Sequence, residues 1–257
     1  MSRRTLLALL IAVLILVPAG YISYGYSQYS KVVSVPENAS TATYVVINLP
    51  NGSFLSMTPR EYANLTLHGF KPPAGSRGYL INVTGTLTGI PPVDVNLTML
   101  APYKRFTIVI GSPSVKVCSS NPAEFIGSCS ERTAAVTEIS ALTSTLFKRY
   151  YYWQAIKQGM NNASAKQYAY EQTMRRYDIR YLSFLTKVDI GLGRLGNKNH
   201  LVVVLLGPAE GATKNVILIP RRGTIILEGR SDSTLRAEVA LIEHILNFKW
   251  PQNTTKK

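Results

Sequence analysis

Residues 201–227 read LVVVLLGPAEGATKNVILIPRRGTIIL. Three apolar runs sit in this stretch: Leu201–Leu206, Val216–Ile219 and Thr224–Leu227. A short apolar run with no polar alternation is what a strand covered on both faces requires. After the first run, Gly207-Pro208-Ala209-Glu210-Gly211 imposes a turn with Glu210 at its tip. Arg221-Arg222-Gly223 turns the second run back on the third. Leu235, Val239, Ile242, Ile245 and Leu246 then recur at helical steps, which predicts an amphipathic helix over about 233–248. The order is strand-strand-strand-helix.

Working outward from this unit, the preceding segment changes period. Ile139, Leu142, Leu146, Tyr150, Trp153 and Ile156 recur at steps of three and four, predicting a helix from about 131 to 160. Asn161-Asn162 breaks it. Ser164 with Gln167 reads as a capping box that opens a second helix to about Lys187, with Tyr170, Met174, Tyr177, Tyr181 and Phe184 on one face. Two helices joined by a short polar turn predict a helical hairpin. The run Tyr150-Tyr151-Tyr152-Trp153 cannot point all its rings at one core, so one or two must lie toward another surface.

Residues 31 to about 117 read as β-rich. Thr43–Ile47, Tyr79–Thr84, Val93–Leu97 and Phe106–Ile110 are β-branched or aromatic runs bounded by Pro50-Asn51-Gly52, Pro72-Pro73 and Pro91-Pro92. This pattern predicts a small antiparallel sheet or sandwich. Thr58-Pro59-Arg60-Glu61 is a capping box with proline at the first helical position. The fold class expected from these readings is α+β. The expected segments are 1–30, an anchor with an aromatic belt; 31–117, β-rich; 118–198, a disulfide loop and helical hairpin; and 199–257, a β-β-β-α unit with a basic tail.

The N-terminus decides the compartment. Arg3 and Arg4 precede an apolar run, and no charge occurs between Arg4 and Lys31. Thr5 to Ile22 is long enough to cross a bilayer, at the short end of the range. The two arginines favour a cytoplasmic N-terminus, and Tyr21, Tyr24, Tyr26 and Tyr29 follow where an aromatic belt meets the outer headgroups. Three readings stand here: an uncleaved anchor, a signal peptide cleaved near Ala19-Gly20, and a buried core helix. Ser2-Arg3-Arg4-Thr5-Leu6-Leu7 also has the form of a twin-arginine signal, although so apolar a run favours the general secretory route.

Two further features agree with export. Asn-x-Ser/Thr triplets occur at Asn38, Asn51, Asn64, Asn82, Asn96, Asn162 and Asn253. That is roughly three times what the Asn, Ser and Thr content would give by chance. These are glycosylation candidates, with turn chemistry the plain alternative. Cys118 and Cys129 are the two cysteines, and in an exported chain they are most simply a disulfide.

The formal charge is +14, with 28 basic and 14 acidic residues, and the charged fraction is 16%. Sparse charge with a basic excess leaves solubility to something else, such as glycans. Outside a cell, a basic surface selects acidic glycans, anionic headgroups or acidic envelope proteins rather than nucleic acid. A basic isoelectric point with no specific partner is the plain alternative.

No cofactor or metal site is expected. His68, His200 and His244 are far apart in sequence and from the cysteines. Gly191-Leu192-Gly193-Arg194-Leu195-Gly196 matches G-x-G-x-x-G, but a predicted helix precedes it and a strand follows. A dinucleotide site needs the reverse order, so the stretch is expected to be a flexible connector. Glu243-His244 are adjacent on a helix and diverge by about 100°. No catalytic residue is assigned. Glu210 with Arg221 and Arg222 is the expected binding loop, if the protein has one.

The strand ending at Gly207-Pro208, the later Asn215, and the strand ending at Gly229 before Ser231 and Thr234-Leu235-Arg236-Ala237 form a pattern. It is similar to a segment of archaeal surface-layer proteins, in which a strand ends in Gly-Gly-Pro with a nearby Asn. There a later Gly is followed by Thr or Ser, Asp-Thr-Arg and Ala at a helix start. Here the second glycine before Pro208 is missing and Asp232 is displaced. The similarity covers about residues 201–246 and implies an envelope protein.

Three functions are consistent with these readings. The first is a membrane-anchored, N-glycosylated extracytoplasmic protein with a structural or binding role at the cell envelope. The second is an exported enzyme acting on surface glycans or peptides through convergent carboxylates. The third is a homo-oligomeric surface appendage assembled through the 131–187 helices.

Overall fold

The computed structural model describes residues 3–35, 39, 41–85, 104–111 and 131–245. Cys118, Cys129, Asn38, Asn96, Asn253 and the run 93–97 lie outside the described residues. The elements in chain order are α1 (Arg3–Val32), β1 (Thr41–Asn48), β2 (Phe54–Met57), α2 (Pro59–Leu67), β3 (Arg77–Gly85), β4 (Arg105–Ile110), α3 (Glu131–Lys157), α4 (Asn162–Met174), β5 (Tyr177–Tyr181), α5 (Phe184–Gly191), β6 (His200–Leu206), a 3-10 turn (Pro208–Glu210), β7 (Val216–Arg221), β8 (Thr224–Glu228) and α6 (Asp232–Ile245).

The eight strands among the described residues join one mixed sheet, in the order β2-β1-β3-β7-β8-β6-β4-β5. The expected antiparallel pairing holds for β1 with β2 and β3, and for β7 with β8. The rest is parallel: β3 with β7, β8 with β6, β6 with β4 and β4 with β5. A small antiparallel sheet is therefore only part of the architecture. The parallel centre explains the unbroken apolar runs, because a parallel sheet is covered on both faces.

Each central strand divides its side chains between two cores. In β6, Leu201, Val203 and Leu205 join one cluster while Val202, Val204 and Leu206 join the other. The same alternation splits Ile225 and Leu227 from Ile226, and Ile217 and Ile219 from Val216 and Leu218. The first core is closed by α3, α4 and α6, through Ile139, Phe147, Ala169, Leu235 and Ile242. The second is closed by α5, the corner that follows it and the last turns of α1, through Ile190, Leu195 and Tyr29.

The helix predicted from 131 to 160 is present, and its buried stripe is rotated from the predicted one. Ala135, Ile139, Phe147, Tyr151 and Ala155 are buried, whereas Trp153 is exposed. Of the four-ring run, Trp153 is the ring that faces another surface. The second helix is shorter than predicted. Asn161, not Ser164, caps it: the Asn161 carboxamide oxygen accepts from Ser164 N at 2.9 Å. It ends at Met174, and Tyr177–Tyr181 is an edge strand. Phe184 then begins a separate helix capped by Ser183.

Candidate functional site

Helix α1 changes character at Ile22. From Thr5 to Tyr21 every residue is exposed, although the segment is almost wholly apolar. From Ile22 onward, partial or full burial recurs at Ile22, Gly25, Gln28, Tyr29 and Val32. Those steps of three and four mark one face of a helix resting on a protein. The helix runs through Pro18 without ending. One helix is long and apolar enough to cross a membrane, and its most apolar window is wholly unburied.

The contact face is built around two glycines. An alanine Cβ at Gly191 would fall 2.0 Å from the Gly25 carbonyl oxygen and 2.6 Å from the Tyr29 nitrogen. At Gly25 a Cβ would fall 2.7 Å from Val188 Cγ1. The absence of both side chains lets the α1 and α5 backbones touch. Around that contact, Arg194 donates to the Tyr21 hydroxyl at 2.8 Å. The Tyr26 and Phe184 rings stack at 5.2 Å. Lys187 Nζ lies 5.7 Å from the Tyr29 ring centre.

The glycine-rich stretch 191–196 is a packed corner rather than a flexible connector. Gly193 and Gly196 have φ of 73° and 82°, and a Cβ at Gly196 would meet Thr224 Oγ1 at 2.1 Å. Arg221 donates to the carbonyl oxygens of Ile190 and Leu195, the latter at 3.2 Å, and so ties the corner to β7. Burial pulls the Arg221 guanidinium below its usual range. No nucleotide cradle arises, because α5 precedes the glycines and β6 follows them.

Glu210 and the Arg221-Arg222 turn are not brought together. Glu210 follows the C-terminal end of β6, whereas the turn leads into Thr224, which pairs with Val202 near the start of β6. At about 3.3 Å per residue, most of a strand length separates them. Glu210 Oε2 accepts from Gly207 N at 2.8 Å, closing its own turn. Arg222 is exposed.

The residues of the Gly-Pro/Asn/Gly pattern do converge. The Asn215 side-chain oxygen accepts from Arg230 N at 3.1 Å. Ser231 Oγ accepts from Thr234 N at 3.1 Å and starts α6. A Cβ at Gly229 would fall 2.8 Å from Leu235 N. Glu228 accepts from Thr213 N at 3.0 Å. Each of these polar groups satisfies backbone, so the pattern builds a rigid edge at the C-terminal ends of β6 and β8.

His200 and Glu238 are titratable groups buried in the domain. His200 is buried on β6, with Nε2 2.8 Å from Thr107 Oγ1. Burial, then the charges of Arg105 and Arg180, lower its pKa to about 4, with Asp178 acting the other way. Glu238 on α6 is 0% exposed, and neither carboxylate oxygen has a hydrogen-bond partner among the described residues. Burial, then the charge of Glu228, hold its pKa well above the usual carboxylate range, with the Val216 backbone only partly offsetting them. Among the described residues no group of three His, Cys, Asp or Glu side chains is placed to hold a metal ion.

An open groove of about 420 Å³ lies beside β1 and β3, lined by Val45, Ile47, Pro59, Tyr62, Pro72 and Leu80 among others. Of the glycosylation candidates, Asn51, Asn64, Asn82 and Asn162 are described, and all four are exposed. Asn51 accepts from the Ser53 backbone and hydroxyl, the turn chemistry of its own triplet. Asn64 lies on α2, Asn82 on β3 and Asn162 at the first position of α4.

No protein-family model, curated protein or solved structure matches this chain.

The sequence reading missed the domain-facing half of α1. Its signal is present in Ile22, Gly25, Tyr29 and Val32, spaced three, four and three apart. The tyrosine-rich composition drew attention to lipid instead.

Proposed function

We propose that this protein is anchored in a membrane by α1 and presents its sheet domain outside the cell, with a structural or binding role at the envelope. The observation that carries the reading is the switch in α1 at Ile22, from uniform exposure of apolar side chains to periodic burial against α5. Apolar side chains exposed on every side of a helix suit a lipid surrounding. Cleavage near Ala19-Gly20 would sever this helix just before the turns that close the second core. Those turns would stay with the domain either way, so preference for an uncleaved anchor rests on the helix running unbroken through Ala19-Gly20 from Arg3 to Val32.

Orientation follows from Arg3 and Arg4, which hold the N-terminus in the cytoplasm. The four exposed glycosylation candidates and the local similarity to surface-layer proteins support an envelope role. The partners this favours are the bilayer itself and acidic envelope glycans or proteins, given the basic excess of +14, of which Arg3 and Arg4 contribute two charges on the cytoplasmic side.

The test is protease digestion of intact cells or right-side-out vesicles, combined with mapping of glycopeptides. The reading expects cleavage within the domain from outside and carbohydrate on peptides containing Asn51, Asn64, Asn82 or Asn162. A domain protected until the membrane is opened, with all seven asparagines bare, would contradict it.

A further inference from the structure

Three large apolar side chains are exposed at one corner of the domain. Tyr181 ends β5, and Phe184 and Leu185 open α5; they are 54%, 52% and 64% exposed. This corner is not a frayed end. Ser183 caps α5, accepting from Thr186 N at 3.1 Å, and Thr186 Oγ1 donates to the Tyr181 carbonyl at 2.8 Å. A held apolar patch of this kind marks a surface meant for an apolar partner.

The neighbour of this corner names the partner. The Phe184 ring stacks on Tyr26, with planes tilted by 26°. Tyr26 lies four residues past Ile22, or about 6 Å along the helix axis at 1.5 Å per residue. The headgroup zone extends about 5–8 Å beyond a hydrocarbon core of about 30 Å. With Ile22 at the edge of the hydrocarbon, Phe184 stands at headgroup depth. Arg194 is bonded to Tyr21, one residue before Ile22 and so at the hydrocarbon boundary, from which a guanidinium can reach outward to lipid phosphate. The Gly25–Gly191 contact fixes α5 against α1, so the corner cannot swing away from that depth.

We propose that Tyr181, Phe184 and Leu185 form a second, peripheral membrane contact that enters the outer face of the bilayer crossed by α1. The inference rests on the reading of α1 as a spanning anchor. One helix alone leaves a domain free to pivot. A second contact beside it fixes the tilt of the sheet and determines which domain surface faces away from the cell.

The test uses the full-length chain carrying Phe184→Trp, reconstituted in phosphatidylcholine–phosphatidylglycerol vesicles. Their acyl chains are either unlabelled or brominated near the headgroup end. The emission of Trp153 and Trp250, measured on the parent protein, is subtracted. Leu185→Trp is a second reporter should the first variant fail to fold, and Tyr170→Trp on α4 serves as the comparison away from the patch. The expected result is loss of the added emission in brominated vesicles for the two α5 reporters and no loss for Tyr170→Trp. Protein that resists alkaline carbonate extraction yet shows unquenched α5 reporters would overturn this contact and leave the anchor intact. Release of the protein by carbonate would overturn the anchor, and this inference with it.

Discussion

Gly25 of α1 and Gly191 of α5 meet backbone to backbone, so closely that an alanine Cβ at Gly191 would lie 2.0 Å from the Gly25 carbonyl oxygen. This contact makes one helix serve two environments. Its residues from Thr5 to Tyr21 are exposed, and its last turns close the second core through Tyr29.

Gly191→Ala should therefore weaken the domain. The new methyl group meets backbone, which cannot move aside as a side chain would, and overpacking of this kind costs about 1–3 kcal/mol. Gly20→Ala is the matched control, because nothing lies within 4 Å of a Cβ there. Denaturant unfolding in detergent reads both, and equal midpoints would show that the α1–α5 contact does not form.

Glu238→Gln should stabilise the protein at neutral pH. The folded state raises the Glu238 pKa above its unfolded value, so the native protein holds the proton more tightly. Stability from this group is present at low pH and is lost as pH rises through the unfolded value toward the raised folded one. The neutral amide removes that loss. The difference in melting temperature between variant and parent should be positive at pH 7 and shrink toward pH 4. A difference independent of pH would place the carboxylate in a solvated or paired environment.

His200 acts at the acid end with the opposite sign. Its folded pKa of about 4 lies below the ordinary 6.5, so the native state resists protonation. The stabilisation is complete above pH 6.5 and is lost as pH falls from there to about 4. By linkage the loss amounts to about 3 kcal/mol at most. His200→Gln keeps a polar partner for Thr107 and should flatten the stability curve over that window. An unchanged slope between pH 6.5 and 4 would assign the acid sensitivity elsewhere.

Asn161→Ala removes the cap of α4 and should cost about 1 kcal/mol. Asn162→Gln, which removes a glycosylation candidate at the next position, should leave the stability of unglycosylated protein nearly unchanged. Thermal unfolding of the pair separates the capping role from the modification role. Equal losses would show that Asn161 does not start the helix.

The centre of the sheet was legible because its strands are covered on both faces. Leu201–Leu206 has no polar position to spare, and neither do Val216–Ile219 before the turn and Ile225–Leu227 after it. The edge strand was not legible. Tyr177-Asp178-Ile179-Arg180-Tyr181 alternates apolar and charged residues, as a strand does. The same tyrosines also continue the helical spacing from Tyr170 and Met174, and that reading prevailed. Its register comes from pairing with β4, where Phe106 lies opposite Tyr177, 71 residues later in the chain, and no local pattern encodes that. β2 is four residues long and carries too little pattern to separate it from a turn. At the candidate site, the long apolar helix was legible from hydropathy alone. The glycine contact depends on which helix lies opposite, and only the fold supplies that.

The most direct measurement is mass spectrometry of the native protein in the membrane fraction, following the tryptic peptide from Thr5 to Lys31. That peptide should be recovered intact and in proportion to peptides from β6 to α6. Chains that begin near Tyr21, with the Thr5–Lys31 peptide missing, would contradict a helix shared between the bilayer and the domain.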